Sequence, residues 1–560
     1  MLPPACNDKF IVTGPDECAL YVPEWTINKY KLAAGWTEFY PIKPIGVLPE
    51  DITIYQDFKL TLPDSIPAGY KPNINVGVGY NEWGMASSGS VKFQLEGNAP
   101  LALKDFQMNY GYYAGEHWNG NNYYWEYYYN GSQLLNNVEG MQADSVTLLL
   151  SVPSGRWSFV SFPFDVKVSD IVPADSNTRW IIRRYAGDLR AKQDFANAWQ
   201  NLTADSILRA GEGYIWHCAG NSYNTRIFTL LALKNANMNN LFATDTLKVE
   251  LGYYPAELAH NQGWNLVGNP FPTHYDSRAL NFSAPITVWN GNTYVAYSIV
   301  DDDYVLMPGE AFFVQSAVEK EQVVFPAEGR QLFDSVRANP SYAPQVVTRA
   351  AAPRRVFNLL LNGDTQVDRT RFVINPEAKS SYELSRDASK FMSDNQDAAQ
   401  LYTIEGEVNY AINERPMGNG EIVLGAQFGQ RGEYTIALNT NVSDTEVVLV
   451  DMLTGVETDL GVSSYTFEAE AGTVTNRFLI KLNAGLGATA LHKNLAATTQ
   501  VTSVNGQVMV RTAEDTEVAL YTVDGKLLQK AQGTQTAFQV PAGFYVVKVQ
   551  NLVYKVAVTK

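Results

Sequence analysis

Cysteine is scarce: three residues in 560, Cys6, Cys18 and Cys218, with no CxxC pair and no metal-type spacing. Cys6 and Cys18 could bridge in an oxidising compartment or stand as two buried thiols; Cys218 has no evident partner. Basic charge is also short, the formal net charge being -16. With no basic stripe to replace phosphate counterions, a nucleic-acid partner is excluded. No apolar run approaches the roughly 18 residues of a membrane-spanning helix. The N-terminal MLPPACNDKF lacks the basic and apolar regions of a signal peptide. Five histidines occur, none four apart from another, and HExxH, GxSxG, a P-loop and a GxGxxG after a strand are all missing. Local spacing therefore predicts no zinc site, no catalytic residue and no cofactor.

What the chain has in quantity is aromatic side chains, 32 Tyr, 25 Phe and 11 Trp. Rings favour pleated surfaces, and the length requires several cores. The expectation is a mainly β protein: a string of β-sandwich modules with a short α+β remnant at the N-terminus. The segments expected are 1–46, a repeat-like end unit; 47–150, a β-rich aromatic domain; 151–336, a β domain with two internal repeats; 356–483, a β-sandwich; and 501–560, a small all-β tail. Residues 337–355 and 483–500 read as linkers.

Leu20–Val22 reads as a strand and Trp25–Ala34 as a short helix that Gly35 ends. Such a unit cannot close a core alone. Asn109–Gly131 sets ten Tyr or Trp among Gly and Asn. Rings beside amides suit a sugar surface, with Tyr112, Tyr113, Trp118, Tyr123, Tyr124 and Trp125 as the stacking candidates. The same segment also fits a hairpin turning at Asn119–Gly120 with rings paired across the strands. Glu116 and Glu126 are the carboxylate pair to test for glycosidase chemistry. Asp301–Asp303 reads as a solvated loop tip, with calcium binding the alternative.

The internal repeat rests on three matches in one order. Trp157–Phe164 matches Trp264–Phe271, Arg184–Gly187 matches Val288–Gly291, and Gly211–Trp216 matches Gly309–Val314. In the tail, strands are read at Val508–Val510, Val518–Val523, Phe544–Val549 and Tyr554–Val558. Turns fall between them at Asn505–Gly506, Asp524–Gly525 and Pro541–Gly543.

Three stretches resemble known families. LYVP, then Tyr30, Gly35–Trp36 and Phe39, resembles the last unit of the leucine-rich repeats in BspA-like surface proteins of the Bacteroidetes. That resemblance implies repeats upstream, with Met1 not the natural start. GWNLVGNPFP followed by PGEAFFVQ resembles a β-module of proteins exported by the type IX secretion system, and VVLVDMLTGVETDL resembles the sandwich beside their sorting tails. ALYTVDGKLL, PAGFYVVKV and YKVAVTK resemble the type IX C-terminal sorting domain, implying sorting roles for Gly543, Phe544, Tyr545, Val547 and Lys555. Ser65, Ser145, Ser206, Thr246 and Ser335 each follow Asp and precede an aliphatic residue, resembling the O-glycosylation sequon of exported Bacteroidetes proteins.

These resemblances imply a secreted or outer-surface, non-enzymatic protein attached to the outer membrane without a spanning segment. Its partners would be the type IX machinery and host matrix proteins or glycans. The alternative is the non-catalytic end of an exported protease or glycosidase whose catalytic domain lies upstream.

Overall fold

Strands pair mostly in parallel between residues 51 and 153, the arrangement a chain adopts when it winds in coils. The computed structural model describes residues 20–22, 31, 42–44, 50–62, 64–77, 91–118, 123–221, 224–333, 336–337, 354–363, 367–393, 395, 398–440, 445–484, 500–504, 507–522, 526–541, 543–549 and 552–558. The chain is mainly β, and among the described residues the one α-helix is Gly187–Ala191. Cys6, Cys18, the helix read at Trp25–Ala34, the hairpin turn at Asn119–Gly120 and Ser335 lie outside the described residues. Two units divide the chain, the larger holding residues 1–441, 451–456 and 463–479.

In the larger unit, Leu20–Val22 (β1) pairs in parallel with Ile42–Pro44 (β2). Asp51–Ile54 (β3), Phe58–Thr61 (β4), Asn73–Val76 (β5), Lys92–Glu96 (β6), Ala102–Leu103 (β7) and Asp105–Trp118 (β8) follow. After them come Tyr123–Tyr129 (β9), Gln133–Asn136 (β10), Gln142–Ala143 (β11) and Val146–Pro153 (β12). One face stacks β3, β5, β8 and β12 in parallel. A second stacks β4, β6 and β10, and a third β7 and β11. Equivalent side chains therefore stand above one another through the coil: Ile52, Ile74, Phe106 and Val146 in one column, Phe58, Phe93 and Leu134 in another. Ile74, Phe93, Phe106, Leu134 and Val146 are fully buried. The boundary placed at 150/151 falls inside β12, and one core runs from Ile54 through Leu150 to Phe164, Trp216 and Phe242. Thr225–Leu231 pairs antiparallel with β12 and caps the coil.

Residues 157–218 and 264–315 build the same sheet twice. The first has the order 157–161, 213–218, 180–185, 199–201; the second has 264–268, 311–315, 286–289, 294–297. Their contacts are reciprocal. Val160 bridges Glu310 while Glu212 bridges Val267, and Ser161 N donates to Gly309 O (2.7 Å) while Gly268 N donates to Gly211 O (2.9 Å). Under the matching of the two copies each contact is the image of the other, so the copies pack about a pseudo-two-fold axis, as an isologous dimer does. Where the axis passes, the equivalent residues Ser161 and Gly268 meet, and a Cβ on Gly268 would overlap that of Ser161. The seam is filled by Phe159, Ile215, Trp264, Leu266, Trp289 and Phe313, and Phe391 enters it from the next module.

That module continues with strands including Arg355–Asn362, Val367–Ile374, Glu421–Phe428 and Gly432–Leu438. The smaller unit, residues 442–450, 457–462 and 480–560, contains the tail. There Gln500–Val504, Gln507–Thr522, Leu527–Gln539, Gly543–Val549 and Leu552–Val558 form one antiparallel sheet around Val508, Val518, Leu520, Phe538 and Val547. Two strands read separately at 508–510 and 518–523 are one strand with an irregularity between Arg511 and Thr516. Leu527–Gln539 carries no strand signal in the sequence, because most of its side chains are exposed and show no apolar alternation.

Gly268→Ala is expected to cost several kcal/mol, as overpacking at a closed contact does. Ser161→Gly in the same chain is expected to restore most of that loss. Urea titrations of the two single variants and the double variant measure this; additive losses would remove the close approach at the axis.

Candidate functional site

The aromatic segment forms an antiparallel ribbon, β8 with β9, in the register Tyr112 with Tyr129, Tyr113 with Tyr128, Glu116 with Trp125 and Trp118 with Tyr123. Of the six stacking candidates, Tyr112 and Tyr113 have described side chains, while for Trp118, Tyr123, Tyr124 and Trp125 the structure describes the backbone pairing alone. Tyr112 is fully buried and its hydroxyl donates to Pro308 O at 2.5 Å, so it belongs to the core and not to a sugar surface. Tyr129 is buried too, donating to Ser132 O and meeting His274 edge-on at 5.5 Å. Tyr113 is half-buried and stacks on Tyr128, centroids 5.7 Å apart. The cross-strand pairing of rings is thus realised at the base of the ribbon. Glu116 pairs through its backbone with Trp125 and Glu126 with Gly115; the side chains of both glutamates lie outside the described part of the structure.

Asp301–Asp303 corrects the reading of a solvated tip. Asp302 is fully buried; Arg369 donates to both its oxygens at 3.1 Å and Arg371 to Oδ1 at 2.5 Å. Asp301 receives Arg354 at 2.7 Å and Arg371 at 3.4 Å, and its side chain is almost wholly enclosed. Arg354 also pairs with Glu414, which Arg386 and Asn375 approach as well. Asp303 alone of the three is exposed. The sequence showed three acids in a row but no sign that Arg369 and Arg371, two residues apart on one face of a distant strand, would come to them. Carboxylates already saturated by guanidinium groups are not a calcium cage. Burial opposes ionisation of Asp302, but Arg369 and Arg371 outweigh it and hold the carboxyl below its usual range. A second buried pair, Lys390 with Asp368 (2.6 Å), takes Thr293 and Tyr294 O from the second repeat into the same joint.

Among the described residues no cation pairs with Glu310, at the repeat seam. Burial pushes its carboxyl up to about 7, although the Tyr304 hydroxyl and Met307 N–H both donate to it. His274 is buried against Gln133, and burial lowers it to about 3. Cys218 is a buried free thiol, raised to about 11 by burial and lying 3.6 Å from Pro153 O. Among the described residues no group of three or more His, Cys, Asp or Glu is placed to hold a metal. No described helix is long and apolar enough to cross a membrane.

Of the hydroxyls in sequon-like contexts, Ser65 and Thr246 are exposed and Ser145 and Ser206 half-buried. In the tail, Gly543 opens a strand paired with Val558, and Val547 is buried. The half-buried Tyr545 donates its hydroxyl to Pro541 O, and Phe544 and Lys555 pair through their backbones with Ala557 and Val546.

Residues 273–482 match a family described as a domain of unknown function, DUF8693. That segment contains both sides of the Asp–Arg joint. No curated protein matches the chain. One solved structure, titled "Biofilm associated protein - BSP domain", aligns at 9% identity over 80% of this chain and 96% of its own, with a TM-score of 0.10. At that score the likeness carries no argument.

Asp302→Ala leaves two guanidinium groups buried without their carboxylate and is expected to cost about 4 kcal/mol, read as a lowered urea midpoint. The pH dependence has two sides. Asp302, held low, stabilises above its unfolded value, and that contribution is lost as pH falls through its depressed folded value. Glu310, held high, stabilises below its unfolded value, and that contribution is lost as pH rises through about 7. Urea midpoints from pH 5 to 8 are expected to fall less in Glu310→Gln than in the parent.

Proposed function

We propose that this protein is secreted or displayed on the outer cell surface, exported by a type IX secretion system, and binds host protein or glycan without covalent chemistry. The observation that carries the reading is the tail. Residues whose pattern resembles a type IX sorting domain fold as a separate antiparallel sheet with its own core, and the last strand, Leu552–Val558, pairs along its whole length with Gly543–Val549.

Two further features support a BspA-like surface protein. The parallel pair β1 and β2 has the strand direction that stacked repeats require. In parallel coils Leu20 pairs with Ile42 and Asp51 with Asn73, the same step in both cases. The acidic balance keeps the chain soluble in water.

Removing residues 501–560 from the chromosomal copy in a type IX-competent bacterium is expected to abolish surface display and release, with the chain accumulating in the periplasm. Immunoblots of surface, medium and periplasmic fractions read this. Undiminished display of the truncated chain would end the proposal.

A further inference from the structure

We propose that the outer face of the coil's largest sheet is a platform for a neutral, linear polysaccharide lying across the strands. This rests on the surface-binding reading and names its ligand class.

The register sets Thr53 beside Asn75, Asn75 beside Gln107 and Gln107 beside Thr147. Their strand neighbours Ile54, Ile74, Val76, Phe106, Met108, Val146 and Leu148 are buried, so this row faces away from the core. Stacked parallel strands repeat at about 4.8 Å, comparable with the length of one pyranose residue in an extended glycan. Successive sugars would therefore meet similar hydrogen-bonding groups. Gln107 Nε2 donates to Asn75 Oδ1 at 3.2 Å, which fixes both amides while leaving each with further donors and acceptors.

At the edge of the row sits Tyr55, 49% exposed. Its ring lies over Gly77, where a Cβ would come within 3.0 Å of Tyr55 Cε1. The glycine thus lets the ring settle against the sheet beside the amides. A ring for the C–H face of a sugar and amides for its hydroxyls form the complementary pair that carbohydrate recognition needs. The charge pattern selects the class. The row is uncharged, and the adjacent row carries Asp51 and Asp105 on either side of Asn73, so a uronic-acid polymer is repelled and a neutral one is not.

Native affinity electrophoresis of the full chain tests this in gels containing hydroxyethyl cellulose, xylan, galactomannan or alginate. Retardation by at least one neutral polymer and none by alginate is expected. Tyr55→Ala and Thr53→Glu, both at exposed positions, and Gln107→Ala are expected to lose it while their thermal midpoints stay near the parent's. No retardation in any neutral gel, equal retardation by alginate, or full retardation in all three variants would overturn the platform. Display at the cell surface without polysaccharide binding would overturn the platform alone and leave the export reading standing.

Discussion

The reciprocal seam between the two repeats is the contact on which the larger unit depends. Ser161 with Gly309 and Gly268 with Gly211 are two images of one hydrogen bond, and they tie together halves with different neighbours. The first half supplies Thr225–Leu231, which covers β12 at the end of the coil. The second half supplies Asp301 and Asp302, which hold Arg354, Arg369 and Arg371 of the following module. A coil with an open last strand and a module with unpaired buried cations would both be unstable alone. The seam joins the element that completes one to the element that completes the other.

The chemistry differs along this path. The coil is held by columns of apolar side chains, whose energy is non-directional and tolerant of loop length. The seam adds aromatic rings, Phe313 stacked on Phe391 at 4.6 Å and Trp264 edge-on to it at the same distance. The joint beyond is ionic and buried. There geometry is exacting, because a carboxylate removed from water must find every donor it lost. Residues 273–482, matched as one family, enclose that exacting joint and leave the coil outside.

Much of this was legible in the chain, and what was not has identifiable causes. The β class followed from the rings and the alternation, and the repeated Trp–Pro and Gly–Glu signatures mark strands that occupy the same places in both sheets. The parallel coil was hidden because its turns differ in length: the ribbon β8–β9 interrupts the period by which a coil is recognised. The burial of Asp302 was hidden because its partners lie on Val367–Ile374, where Arg369 and Arg371 look like solvent-facing residues of an ordinary strand. At the candidate sugar site, composition pointed to the aromatic segment. Only the fold showed that Tyr112 is core and that the amides of two neighbouring strands, Asn75 and Gln107, align between two threonines elsewhere on the same sheet.

Native-state hydrogen exchange tests most directly whether coil, repeats and the following module form one cooperative body. Amides of Phe106 and Val146 in the coil, Ser161 and Gly268 at the seam, and Arg371 at the joint should exchange through one opening with one free energy and one denaturant dependence. A coil that opens at markedly lower denaturant than the seam and joint would contradict the account.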